Sequence, residues 1–154
     1  MNDPEPSVPD LAEPSAFPHW TREKIRFQDI DRLGHVNNVA ITIYAESGRV
    51  ECLGAVMPAA LTAGNGPLWV IASIDIQFRA QSHYPGTVDI GTRVLRIGNS
   101  SITLGQGLFV GERCIATTES VVVLVDPETG RGMALPPEVR EAARTVGETA
   151  RPRH

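Results

Sequence analysis

The sequence predicts an α+β domain, one antiparallel sheet wrapped around one long helix, and three observations carry that expectation. Apolar residues recur with helical spacing over one stretch of the chain. They alternate with strand-like spacing over several others. The helical stretch comes before most of the strands, and elements segregated in this way pack as a sheet on a helix rather than as alternating βαβ units. The chain has 154 residues, 42% hydrophobic and 21% charged. That is the size and make-up of one domain with one core.

Residues 1–18 hold five prolines and several acids but few large apolar groups. Such a segment buries too little surface to offset its ordering entropy, so a flexible tail is expected. The ordered domain is expected over residues 19–147, with a second flexible end at 148–154. Lys24 to Gln28 alternates and reads as a short strand. A polar segment containing Gly34 follows, and from Val36 the apolar positions are 36, 39, 40, 43, 44, 47, 50 and 53 or 54. That spacing predicts an amphipathic helix of about 17 residues. Thr42, Glu46 and Arg49 fall on its opposite face, with Glu46 and Arg49 spaced to pair. Gly54 and Pro58 supply the stop.

Beyond that the period changes to two. Ala72 to Arg79 alternates, with Ile74, Ile76 and Phe78 on one face. A turn at Tyr84-Pro85-Gly86 leads to a strand with Val88, Ile90 and Val94, and Gly98-Asn99 makes a hairpin. The next strand places Ile102, Leu104, Leu108 and Val110 together. Gly111-Glu112 turns into Cys114 to Val125, whose second half reads as covered on both sides. Asp126 to Gly130 closes that strand, and Pro136 and Pro137 open a short C-terminal helix.

Net charge is −4 with the two signs interspersed. That argues against a nucleic-acid partner bound through a basic face. No apolar run approaches the ~20 residues of a membrane span. The acidic, Pro-rich N-terminus lacks the basic and apolar regions of a signal peptide. Cys52 and Cys114 stand far apart and read as reduced, buried thiols. A cytoplasmic protein, with no membrane partner, is the expectation. No Gly-rich phosphate loop, metal-ligand spacing or GxSxG elbow occurs.

The stretch that carries chemistry is Phe27-Gln-Asp-Ile-Asp-Arg-Leu-Gly-His-Val-Asn-Asn38. Two carboxylates, Asp29 and Asp31, precede a helix whose first free N–H groups belong to about Val36 to Asn38. Thioester hydrolysis needs a carboxylate that attacks the carbonyl or activates a water. It also needs N–H donors aimed at the oxygen that becomes negative, which a helix N-terminus provides. Aspartates before helices are also common as caps and turn formers, so the residues alone leave that reading open.

This run, followed by Tyr44, Glu46 and Arg49, resembles the signature of hotdog-fold acyl-CoA thioesterases of the 4-hydroxybenzoyl-CoA thioesterase-like family. The resemblance extends to about residue 145. It implies the hotdog fold, a five-stranded antiparallel sheet around a central helix. It also implies Asp31 as catalytic carboxylate, acting as general base or nucleophile, and the backbone N–H of Asn38 as oxyanion donor. Asp29 is read as structural, Tyr44 as core, and Glu46 as paired with Arg49 rather than reactive. The GHVNN form is also similar to part of the plant acyl-carrier-protein thioesterases, where a histidine here and an asparagine two residues earlier are catalytic; that earlier position is Leu33 in this chain. His35 and Asn37 are therefore taken as substrate-side residues, His35 with packing and Asn37 with helix capping as the alternatives. The implied substrate is an acyl-CoA, cleaved to a carboxylic acid and coenzyme A without metal or organic cofactor. The implied assembly is a homodimer or homotetramer with the site between subunits. A non-catalytic acyl-CoA-binding module on the same fold is the competing reading.

Overall fold

The computed structural model describes residues 8–148. Its elements run β1 (His19–Lys24), α1 (Asn38–Val56), β2 (Leu68–Phe78), β3 (Thr87–Ile97), β4 (Ser101–Val110), β5 (Arg113–Val125) and α2 (Pro137–Glu148). The strands form one five-stranded sheet in the order β1-β3-β4-β5-β2, and every pairing is antiparallel. This is the hotdog arrangement, with α1 against one face of the sheet. Strand β2 is left at an edge beside β5.

The first strand lies earlier than the alternation over 24–28 suggests. Residues Phe27–Asp29 form a turn of 3-10 helix instead, and Phe27 is 78% exposed. The cause is the Asp29 carboxylate: anchored by the Tyr44 hydroxyl of α1, it accepts the Arg26 backbone N–H at 2.9 Å and its guanidinium at 3.1 Å, which curls the chain after the fully buried Ile25.

The helix appears where its spacing places it, but rotated about its axis. Ala40, Ile41, Tyr44, Ala45, Gly48, Arg49, Cys52, Leu53 and Val56 face the interior. Val39, Ile43 and Val50, part of the expected inner stripe, are 68%, 44% and 42% exposed. Arg49, expected outside, is buried. Its Glu46 partner stands at 4.0 Å, and its Nη1 meets no acceptor among the described residues. A helix apolar on nearly every side carries a weak phase signal, so close packing sets the rotation. A Cβ on Gly48 would come within 2.5 Å of Ile90 Cγ2 and 3.0 Å of Gln106 Nε2, so only a glycine allows this approach. Gln106, fully buried in β4, donates to the Ala45 carbonyl at 2.9 Å and to Thr92 Oγ1 at 3.1 Å, and accepts from Thr118 Oγ1 at 3.0 Å. This satisfied polar contact ties the middle of the helix to the middle of the sheet. Apolar clusters fill the two ends, one around Ile41, Ile90 and Leu108, the other joining Leu53 and Leu104 to Val139 of α2.

Part of the expected flexible tail is docked. Residues 1–7, like 149–154, lie outside the described residues, but Pro14–Ala16 forms a 3-10 turn and Phe17 is only 3% exposed. Phe17 packs edge-on to Trp20 and Phe109, with ring centroids 5.7 and 6.1 Å away. It occupies a groove made by Gly91 and Gly107, paired across β3 and β4, where any Cβ would collide with its ring. Arg93 Nη1 adds a hydrogen bond to the Ala16 carbonyl at 2.9 Å. The ordered domain thus begins before His19, because an apolar residue among prolines found a sheet face stripped of side chains. Deleting residues 1–17 removes the Phe17 contact and should lower the melting temperature by roughly 5–10 °C. A calorimetric scan in which the truncated chain melts with the full one would show that the segment contributes nothing.

Candidate active site

The motif loop is a small closed structure between β1 and α1. Ile30 and Val36 form an isolated antiparallel bridge, the Asp31 N–H donates to the His35 carbonyl at 2.9 Å, and the Gly34 N–H returns to the Asp31 carbonyl at 3.0 Å. Gly34 has φ +83°, a backbone state that glycine adopts without steric cost. Within this turn Asp31 Oδ1 accepts the N–H groups of Leu33 at 2.8 Å and His35 at 3.3 Å. Its Oδ2 makes no hydrogen bond to any described residue. The carboxylate is half-buried, held at one oxygen and open at the other.

Asp29 has the opposite environment. It is 3% exposed and accepts from Tyr44 Oη at 2.5 Å as well as from Arg26. Burial alone would raise its pKa, but the hydrogen bonds from Tyr44 and Arg26, with the guanidinium charge, together hold it below the ordinary value. The same contact, after burial, pushes the Tyr44 phenol well above its usual range. Asp29 is therefore a structural anchor, as read from the sequence. Tyr44 is core with a specific polar task that its spacing did not reveal.

The helix start is shifted slightly from the expected donors. The Val36 N–H is taken by the Ser82 carbonyl and the Asn37 N–H by the Asp29 carbonyl, both at 2.9 Å. Asn37 is the N-cap, its Oδ1 accepting the Ala40 N–H at 2.8 Å. That leaves the N–H groups of Asn38 and Val39 without an acceptor among the described residues. Of the residues singled out from the sequence, Asn37 has its side-chain oxygen committed to capping. His35 holds Asp31 through its main chain and packs its ring on His83, centroids 5.2 Å apart.

A cleft of about 290 Å³ opens at this helix end, lined by Val36, Asn38 and Ile41 and by Phe78 to Ser82 with Ile115. Asn38 lines it; Asp31, His35 and Asn37 do not. The chain leaving β2 thus forms the second wall, a contribution that no local pattern around the motif announces. Among the described residues, no group of three His, Cys, Asp or Glu side chains is arranged to hold a metal ion. No described helix is long and apolar enough to cross a membrane.

Residues 25–143 match the model of the Thioesterase-like superfamily, and the chain belongs to that family. It is 28% identical over 130 residues to the uncharacterized protein YsmA of Bacillus subtilis (strain 168), covering 82% of this chain and 86% of that one. Its fold is similar to that of a thioesterase from Thermus thermophilus solved with coenzyme A and Zn. That comparison has 28% identity and a TM-score of 0.77 over 89% of this chain and 98% of the other. A predicted thioesterase from Bacillus stearothermophilus gives 26% identity and a TM-score of 0.77, over 88% and 98% of the two chains.

The depressed Asp29 carboxyl makes a pH prediction with a fixed sign. Its folded-state pKa lies below the ordinary 3.8, so on acidification the unfolded chain takes the proton first. Its stabilising contribution is full well above that value and is lost as pH falls through the folded-state pKa. Asp29→Asn should cost roughly 2 kcal/mol at neutral pH. Between about pH 5 and pH 3 it should also flatten the loss of stability relative to wild type. Urea melts across that range are the measurement; parallel slopes for the two proteins would refute the anchor.

Proposed function

We propose that this protein is an acyl-CoA thioesterase, with Asp31 as its catalytic carboxylate and the Asn38 N–H as its oxyanion donor. The observation that carries the reading is the pairing of two incomplete hydrogen-bond sets within eight residues. Among the described residues, Asp31 keeps one oxygen free, and the helix beginning at Asn38 keeps its first N–H groups free. The helix dipole favours negative charge at that end. A thioester carbonyl directed at Asn38 would gain a donor as its oxygen becomes anionic, a contact typically worth roughly 2.7–4 kcal/mol. Asp31 either attacks the carbonyl carbon or takes a proton from a water that does. Both routes consume one water and release a carboxylic acid and the thiol of coenzyme A. Family membership and the coenzyme A complex of the Thermus relative support the substrate class.

Asp31→Asn keeps the volume and the Oδ1 acceptor but removes the charge. It should lower kcat by at least about 100-fold on the best of a panel of short, long and aromatic acyl-CoAs. Free thiol release measures this. Retention of more than about a tenth of the rate, a change of only ~1.4 kcal/mol, would sink the assignment. A folded wild type that binds acyl-CoA without turning it over would favour the binding-module reading.

The working unit, in the same proposal, is a homodimer or larger homo-oligomer with the cleft at the subunit boundary. Among the described residues, strand β2 is an unpaired edge. Val70, Ile71, Ile74 and Phe78 on it are 45%, 45%, 38% and 53% exposed, and Phe78 lines the cleft. The outward face of α1 adds exposed Val39, Ile43 and Val50. A long edge with this much bare apolar surface calls for a partner, and a second copy covers both features. Light scattering at low micromolar concentration should give at least twice the chain mass. A fully active monomer would overturn the assembly and leave the chemistry untouched.

A further inference from the structure

The β2–β3 connection clasps the motif loop, and one of its residues, His83, reaches the Asp31 carboxylate through a single peptide group. His83 Nδ1 lies 3.1 Å from the Gly34 carbonyl oxygen. A carbonyl oxygen only accepts, so Nδ1 carries the proton and, in the neutral ring, Nε2 holds the lone pair. The N–H of that same Gly34–His35 peptide is the one His35 donates to Asp31 Oδ1 at 3.3 Å. The peptide plane is thus held from both sides, by imidazole at its oxygen and by carboxylate at its nitrogen.

Two further contacts fix the clasp. The His83 ring packs on the His35 ring at 5.2 Å and 57°, and the neighbouring Ser82 carbonyl accepts the Val36 N–H at 2.9 Å. The plane needs such holding because Gly34, at φ +83°, imposes little steric resistance to rotation. Donation to a peptide oxygen also polarises its N–H and strengthens the bond that N–H makes.

We propose that His83 is a positioning residue for Asp31: it orients the Gly34–His35 peptide, and that peptide fixes the carboxylate rotamer that leaves Oδ2 free. The kinetic half of the inference rests on the hydrolase reading; the structural half does not.

Two substitutions separate the donor from the ring. His83→Phe keeps an aromatic partner for His35 and loses the N–H. His83→Asn places an amide N–H close to the position of Nδ1. His83 is exposed, so neither should disturb the core. Amide hydrogen exchange of Leu33 and His35, followed by NMR without substrate, should quicken at least about tenfold in His83→Phe and return near wild type in His83→Asn. In turnover, His83→Phe should lower kcat about tenfold at nearly constant KM, with substantial recovery in His83→Asn. In an Asp31→Asn background, His83→Phe should then add little.

Unchanged exchange in His83→Phe, or His83→Asn behaving like His83→Phe, overturns the proposal. So does faster exchange with kcat intact. If the wild type turns over no thioester, the hydrolase reading falls, and the exchange comparison alone decides whether His83 positions Asp31.

Discussion

A buried carboxylate, that of Asp29, holds the candidate site together. Asp29 joins three elements: Tyr44 on the second turn of α1, Arg26 at the end of the β1 segment, and, through its own carbonyl, the N–H of Asn37 at the helix cap. The buried Asp29 carboxylate and Tyr44 hydroxyl would be costly to leave unpaired in the interior, so the set closes as a unit, with half-exposed Arg26 at its rim. Once closed, it fixes where the helix begins relative to the loop that carries Asp31. Two aspartates two residues apart thus have separate tasks. One has every hydrogen-bonding need met and stabilises geometry. The other is left partly unmet among the described residues, as the proposed reacting role would require.

The same division appears at larger scale. Gly48 and Gln106 bring the centre of α1 against the centre of the sheet, and that contact sets which helix face is inside. The consequence is an outward helix face bearing Val39, Ile43 and Val50, in addition to the open edge of β2. On the opposite side of the sheet, glycines in β3 and β4 admit Phe17 and cover part of that surface from within the chain. One face is finished by the N-terminal segment, whereas the edge next to the cleft is not. The unfinished region and the candidate site share Phe78, so in the proposed assembly completing the surface and completing the pocket would be one event.

The proposed chemistry is economical. A thioester is an activated acyl group, and its hydrolysis needs no electron transfer and no strong electrophile. A fixed carboxylate and a fixed N–H donor are sufficient parts, and their value lies in being positioned before substrate arrives. In the proposed mechanism, the loop bonds to Asp31 Oδ1 and the clasp from the β2–β3 connection would supply that positioning.

The sequence by itself determined what depends on near neighbours. The α+β class, the long helix, the strands from β3 onward and the Asp31-to-Asn38 segment all follow from periodicity, turn residues or a contiguous motif, where cause and effect lie within a dozen residues. Tertiary structure decided the rest, for reasons visible at single residues. The phase of α1 depended on Gly48 meeting Ile90, 42 positions away, because the helix is apolar on most sides. Docking of Phe17 depended on two glycines paired across neighbouring strands that lie far from it in the chain. The curl at Phe27–Asp29 followed from a carboxylate whose anchoring on Tyr44 requires the helix already in place. His83 joined the site only when the chain returned from β2 to touch a loop 49 residues earlier. Local pattern records what a segment prefers; which face is covered and which polar group is answered are settled when segments far apart in the chain compete for the same space.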